Sequence, residues 1–231
     1  MINSIYRPLR EVTFPEFSGI RIMMMPVEFS NMDSIPNSLE GYKPMIEKLF
    51  NEVPDEKGVG YLTIDEKFLK KGETHRRPGL HVDGMFNGGI KGGWGGGGWG
   101  GSQPIPSGSW GGGGGWGGSN SSTGGFILAS NVPGCRAWKQ TVWSDPINDG
   151  ECGHMEEFLK DENSEVLKGG IAYWLNPMCV HESLPMDEDK QRQLIRLSFP
   201  NDCPWFEGYT ENPLGVKATG IILPRRKEMD A

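Results

Sequence analysis

Between residues 59 and 224 the chain repeats one pattern, a short apolar run followed by a break of Gly, Pro, Asn or charge. The runs are VGYLTI, GLHVDG, FILASN, CRAWKQTVW, GGIAYWL, MCVHESL, QLIRLSF and GIILP. Each is too short for an ordinary helix and most are rich in β-branched or aromatic side chains, so each reads as a strand. Eight short strands with turn signals between them point to a sandwich or barrel and away from alternating β-α-β units. A further strand is read in residues 19–29, GIRIMMMPVEF, ending at Pro26 or soon after. One segment has the helical period. Leu39, Tyr42, Met45, Ile46, Leu49 and Phe50 form a single stripe, and Pro44 fits only the first turn, so the helix should run from about Tyr42 to Asn51. Its expected role is to shield one face of a sheet. A second, short helix is expected around residues 154–160.

Of the chain's 35 glycines, 21 fall in residues 84–125. That tract has no Gly-X-Y period, so it is not collagen-like. It carries Trp94, Trp99, Trp110 and Trp116, four large amphipathic surfaces that a plain Gly/Ser linker would not hold. The rest of the chain is long enough for one sizeable core. The expected organisation is a single domain over residues 1–231 with a Gly/Trp-rich insertion at 84–125. The expected fold is mainly β with flanking helices, a double-stranded β-helix barrel of the jelly-roll or cupin type.

The formal charge of -7 is the wrong sign for a protein that binds by neutralising phosphates, so nucleic acid is not an expected partner. No apolar run approaches the ~18 residues that would span a membrane. The first residues, MINSIYRPLREVTFPEF, carry charges and a Pro where a signal peptide would need an apolar stretch, so a cytoplasmic location is expected. Cys135, Cys152, Cys179 and Cys203 form no C-x-x-C pair, and buried free thiols are their expected state.

Chemistry concentrates in two places. In GLHVDG, His81 and Asp83 are two residues apart, which on a strand puts both side chains on one face, able to bind one ion. His181 ends an apolar run that would carry it into a barrel. Two imidazoles and a carboxylate occupy one face of an octahedral ion and leave three positions open, as in non-haem Fe(II) oxygenases. Downstream, in QRQLIRLSF, Arg196 and Ser198 share a face opposite Ile195, Leu197 and Phe199. A guanidinium turned into a barrel needs an anion, and its planar fork favours a carboxylate.

The order His81-Val82-Asp83, then His181 after the GGIAYW strand, then Arg196-Leu197-Ser198, resembles the Fe(II)/2-oxoglutarate-dependent oxygenase superfamily. The likeness covers residues 75 to about 199 and assigns no subfamily. It implies that His81, Asp83 and His181 bind Fe(II). It also implies that Arg196 holds the far carboxylate of the cosubstrate 2-oxoglutarate, with Ser198 assisting. The implied activity couples 2-oxoglutarate decarboxylation by O2 to hydroxylation, desaturation or cyclisation of a small organic or amino-acid-like substrate.

Arg192 is the rival anchor, because it has the same strand parity as Arg196; its other expected role is a surface pair with Asp187 or Glu188. His75, Arg76 and Arg77 could meet an anionic substrate, but a charged strand end facing water is the expected arrangement. Trp138, Trp143 and Trp174 are expected in the core, as is Cys179. Two other functions fit the same residues. One is a cupin-like metal-dependent oxidase or dioxygenase that uses no 2-oxoglutarate, and the other a non-catalytic β-barrel binding module with an adhesive Gly/Trp segment.

Overall fold

The computed structural model describes residues 1–83, 124–147, 150–200, 205–219 and 222–224. Residues 84–123 of the Gly/Trp tract, with all four of its tryptophans, and Cys203 lie outside these residues. The described chain is mainly β. Its strands are β1 (Ile2–Ser4), β2 (Tyr6–Glu11), β3 (Arg21–Glu28), β4 (Val59–Leu69), β5 (Phe126–Ser130), β6 (Cys135–Trp138) and β7 (Gln140–Val142). They continue as β8 (Ser164–Val166), β9 (Ile171–Leu175), β10 (His181–Ser183), β11 (Lys190–Ser198), β12 (Trp205–Phe206) and β13 (Ile222–Leu223). One α-helix, α1, spans Lys43–Phe50 with Pro44 in its first turn, as the apolar stripe predicts.

Six strands form a large antiparallel sheet in the order β2-β9-β5-β11-β4-β3, and three form a smaller one in the order β10-β6-β8. After β5 the chain crosses repeatedly between the two sheets. β4 and β5 belong to the large one, β6 and β8 to the small one, β9 to the large, β10 to the small and β11 to the large.

Side-chain alternation on β11 sorts the two faces of the large sheet. Ile195 and Leu197, with Phe199 just beyond, join Leu62, Ile64, Ile127 and Ala129 in the cluster that buries Met45, Ile46, Leu49 and Phe50 of α1. The helix therefore covers that face. On the other face Phe126, Leu128, Tyr173, Leu175 and Leu194 meet Cys135 and Ala137 of the small sheet. Each fully buried Leu or Ile contributes about 1.5–3 kcal/mol, so the first layer holds the helix on the large sheet and the second holds the two sheets together. Arg192, Arg196 and Ser198 share the parity of Leu194 and point into the space between the sheets.

Four expectations change. YRPLRE is polar and contains Pro8 and so does not read as a strand, yet it forms β2, which among the described residues is an edge strand paired with β9, where the missing proline N–H is tolerated. GLHVDG contributes a single bridge at His81 instead of a full strand. The helix expected around 154–160 is a 3-10 turn, Gly153–Phe158. Trp143 is 85% exposed, whereas Trp138 is buried as expected. Cys135, Cys152 and Cys179 are free and buried, and no described helix is long and apolar enough to cross a membrane.

Candidate metal centre

His81 and His181 stand directly opposite each other. Each backbone N–H donates to the other's carbonyl at 2.9 Å, a closed antiparallel pair whose side chains leave on the same side. Their rings lie with centroids 4.4 Å apart. Val82 turns the other way, into a cluster with Leu80, Trp138, Met155 and Val180, so the alternation brings Asp83 back to the side of His81. The segment is held on its far edge by Gly150, whose carbonyl accepts the Val82 N–H at 2.9 Å. Gly150 has φ +86°, and a Cβ there would stand 2.3 Å from the Val82 carbonyl oxygen, so the approach requires glycine.

Backbone carbonyls fix both rings. Nδ1 of His81 is 2.8 Å from the Gly79 carbonyl and Nδ1 of His181 is 2.9 Å from that of Cys179. A carbonyl only accepts, so each Nδ1 carries hydrogen, and in the neutral ring Nε2 then holds the lone pair that a metal would take. The Nε2 atoms face Asp83, at 3.9 Å from Oδ1 for His81 and 3.4 Å from Oδ2 for His181. One donor atom from each residue lies within 4.8 Å of the other two, and the three could hold a metal ion. Burial and the neighbouring His181 push the His81 imidazole down to about 4, which leaves it neutral and able to ligate at physiological pH. Burial opposes ionisation of Asp83, but Arg196 and the two histidines outweigh it and hold the carboxyl well below its usual range.

The two arginines of β11 have different surroundings. Arg196 Nη1 donates to Oδ2 of Asp83, its Nε donates to Ser198 Oγ at 3.0 Å, and its guanidinium carbon lies 4.2 Å from the Phe126 ring centroid. Arg196 and Ser198 thus face inward together as expected, but Arg196 is engaged with the triad's own carboxylate. Arg192 is four residues earlier on the same face, roughly 13 Å back along the strand. It is 1% exposed, and its Nε and Nη1 have no hydrogen-bond partner among the described residues. The surface pairing considered for it does not form: Asp187 and Glu188 are held by Lys190, each at 3.0 Å.

Arg192 has no dedicated counter-ion among the described residues. Cys135 is its neighbour, but burial pushes that thiol up to about 12 and keeps it uncharged. Asp65, fully buried on β4, is already approached by Arg76 at 3.2 Å, His75 at 3.4 Å, and Arg21 and Lys67 at 3.8 Å. Burial raises the Asp65 carboxyl, yet His75, Lys67 and Arg76 bring it down to about 2. The guanidinium packs against Gly134, where a Cβ would come within 2.7 Å of its central carbon.

The segment 75–77 departs from the water-facing strand end expected of it. His75 is 1% exposed, Arg76 reaches Asp65, and Arg77 pairs with Glu151 at 3.1 Å. Asp65 and His75 had not been singled out as a pair. The available signal was Asp65 sharing strand parity with Tyr61 and Thr63 on an otherwise apolar run.

Comparison of the chain with protein-family models, with curated proteins and with solved structures finds no match.

Proposed function

We propose that the chain is a non-haem Fe(II) oxygenase that uses 2-oxoglutarate and O2 to oxidise a small organic or amino-acid-like substrate. The observation that carries this reading is the convergence of two carbonyl-fixed imidazoles and one carboxylate, with both Nε2 lone pairs free for an ion. The alternation of strands between two facing antiparallel sheets, with His81 bridged to β10, supports a double-stranded β-helix as the scaffold. The donor set fits a first-row divalent ion, because three protein ligands on one side leave the other side for substrate. Bound there, the metal would supply the redox chemistry that couples decarboxylation of a 2-oxo acid to oxidation of a second molecule.

The protein's own part is binding and orientation. The Gly79 and Cys179 carbonyls hold the ligand rings, and Arg196 fixes Asp83. In this reading the anchor for the far carboxylate is Arg192 and not Arg196. An anchor must stand a molecule's length from the metal, and Arg196 touches a metal ligand. A buried guanidinium with unsatisfied N–H groups, on the same face of β11 as Arg196, is suited to a bidentate carboxylate. Cys135, uncharged, lines that end.

The test is consumption of 2-oxoglutarate. With Fe(II) and oxygen the protein should form succinate slowly even without its second substrate, and Asp83→Ala should form none. If 2-oxoglutarate is left unconsumed while the protein binds Fe(II), the cupin-like oxidase becomes the better reading.

A further inference from the structure

The row that carries the two histidines extends one strand further. The Val82 N–H donates to the Gly150 carbonyl and the Cys152 N–H to the Leu80 carbonyl, each at 2.9 Å. These two bonds flank His81 and Glu151, which are therefore an antiparallel pair with no hydrogen bond between them. In such a pair the Cα atoms stand about 4.5 Å apart, closer than the ~5.5 Å of a bonded pair such as His81 and His181, and both side chains leave on one side. The neighbours agree: Leu80, Val82 and Cys152 turn together into the apolar cluster with Trp138 and Val180. Glu151 therefore leaves on the side of the metal ligands, next to His81 and across it from His181.

Glu151 is held in an ion pair. Its Oε2 accepts from Arg77 Nη2 at 3.1 Å, and its Oε1 accepts from the Gly153 N–H at 3.0 Å. Burial opposes ionisation of Glu151, but the Gly153 N–H and Arg77 outweigh it and hold the carboxyl below its usual range. The side chains of Arg77 and Glu151 are 20% and 42% exposed, so the pair stands where solvent reaches the site and adds little stability as a clamp. What it offers beside the triad is one anion and one cation a hydrogen-bond length apart. A guanidinium has five N–H groups and a carboxylate about four acceptor positions, so holding each other exhausts neither.

We propose that Glu151 and Arg77 form the substrate subsite of the centre and that the substrate is a free α-amino acid, its ammonium on Glu151 and its carboxylate on Arg77. This names the substrate class for the site read above as an Fe(II) and 2-oxoglutarate centre, and it rests on that reading. An ammonium and a carboxylate on one carbon match an anion and a cation held side by side, whereas a ligand with a single charge answers only one member of the pair. With its α end there, the amino acid's side chain runs along the row toward the two histidines, within the roughly 10 Å that separates the backbones of Glu151 and His181.

The test is an optical titration without oxygen. Each of the twenty protein amino acids is added to the wild-type protein loaded with Fe(II) and 2-oxoglutarate, and the metal-to-ligand charge-transfer band is followed. At least one amino acid should shift the band saturably. Its N-acetyl derivative lacks the ammonium and its amide lacks the carboxylate, and each should bind about 10-fold or more weakly, the scale of a hydrogen bond to a charged group. Absence of any band overturns the iron and 2-oxoglutarate reading itself, while a band that no amino acid shifts overturns this proposal alone. Glu151→Gln should then bind the amino acid and its N-acetyl derivative about equally and still reject the amide, and Arg77→Gln should do the reverse. A pair that only clamps the loop would lower the melting temperature when broken and leave the ranking of the three ligands as in wild type. That result, or the two variants behaving alike, would overturn the proposal.

Discussion

Replacing Asp83 with alanine is expected to abolish tight binding of a divalent metal while the chain remains folded. The variant keeps two imidazoles whose Nδ1 hydrogens are held by backbone carbonyls, so the rings stay in place. It loses the triad's one anionic ligand and leaves Arg196 without that partner, so two cation-repelling changes act together. Loss of a group that merely supports a ligand costs about 10–100-fold in metal affinity, and loss of the carboxylate ligand should exceed that. The Asp83 side chain is 24% exposed and belongs to none of the buried apolar clusters of the described residues, so the far-ultraviolet circular dichroism should match wild type. Calorimetric titration with Fe(II) under nitrogen, or with Mn(II), measures the effect. Unchanged affinity would remove Asp83 from the site.

Removing the Arg192 guanidinium is expected to have two opposite effects. In Arg192→Met the affinity for 2-oxoglutarate should fall by ~100-fold or more, because a charge-assisted bidentate pair is worth a few kcal/mol. Stability of the ligand-free protein should rise, or at least hold. A buried guanidinium with unsatisfied donors is costly, and an apolar side chain of similar volume removes that cost. A purely structural arginine would behave in the reverse way, since its removal would lower the melting temperature. Arg196→Met is the comparison. It should weaken the metal through Asp83 while leaving the far end of the 2-oxo acid its anchor. If Arg196→Met and not Arg192→Met abolishes 2-oxoglutarate selectivity over pyruvate, the roles are reversed.

Much of this arrangement was legible in the sequence because it depends on period. The stripe from Leu39 to Phe50 gives α1 and its covering role, and the two-residue alternation gives the inward parity of Arg196 and Ser198 against Ile195 and Leu197. The His81-x-Asp83 spacing likewise puts both donors on one side. His181 was found from its place at the end of an apolar run, and the bridge between the two histidines is what parity alone could not supply.

Parity also could not separate Arg192 from Arg196, since both point into the same space. What separates them is partners contributed from elsewhere in the chain: Asp83 for Arg196, and a protonated Cys135 and a shared Asp65 around Arg192. The burial of His75 is hidden from the sequence for a similar reason. In THRRPG it has the composition of a solvent-facing turn, but the segment is tied down by the Gly72 and Glu73 bonds to Met186 and by Arg76 on Asp65 and Arg77 on Glu151. Trp143 failed in the opposite direction, an indole read as core that ends at the surface next to β7.

The central claim is that one site binds both Fe(II) and a 2-oxo acid, and optical titration without oxygen tests it most directly. Adding 2-oxoglutarate to the Fe(II)-loaded wild-type protein should produce a weak visible metal-to-ligand charge-transfer band that saturates at one equivalent and is absent in Asp83→Ala. A protein that binds Fe(II) but develops no band with 2-oxoglutarate, or that binds no Fe(II), would contradict the account.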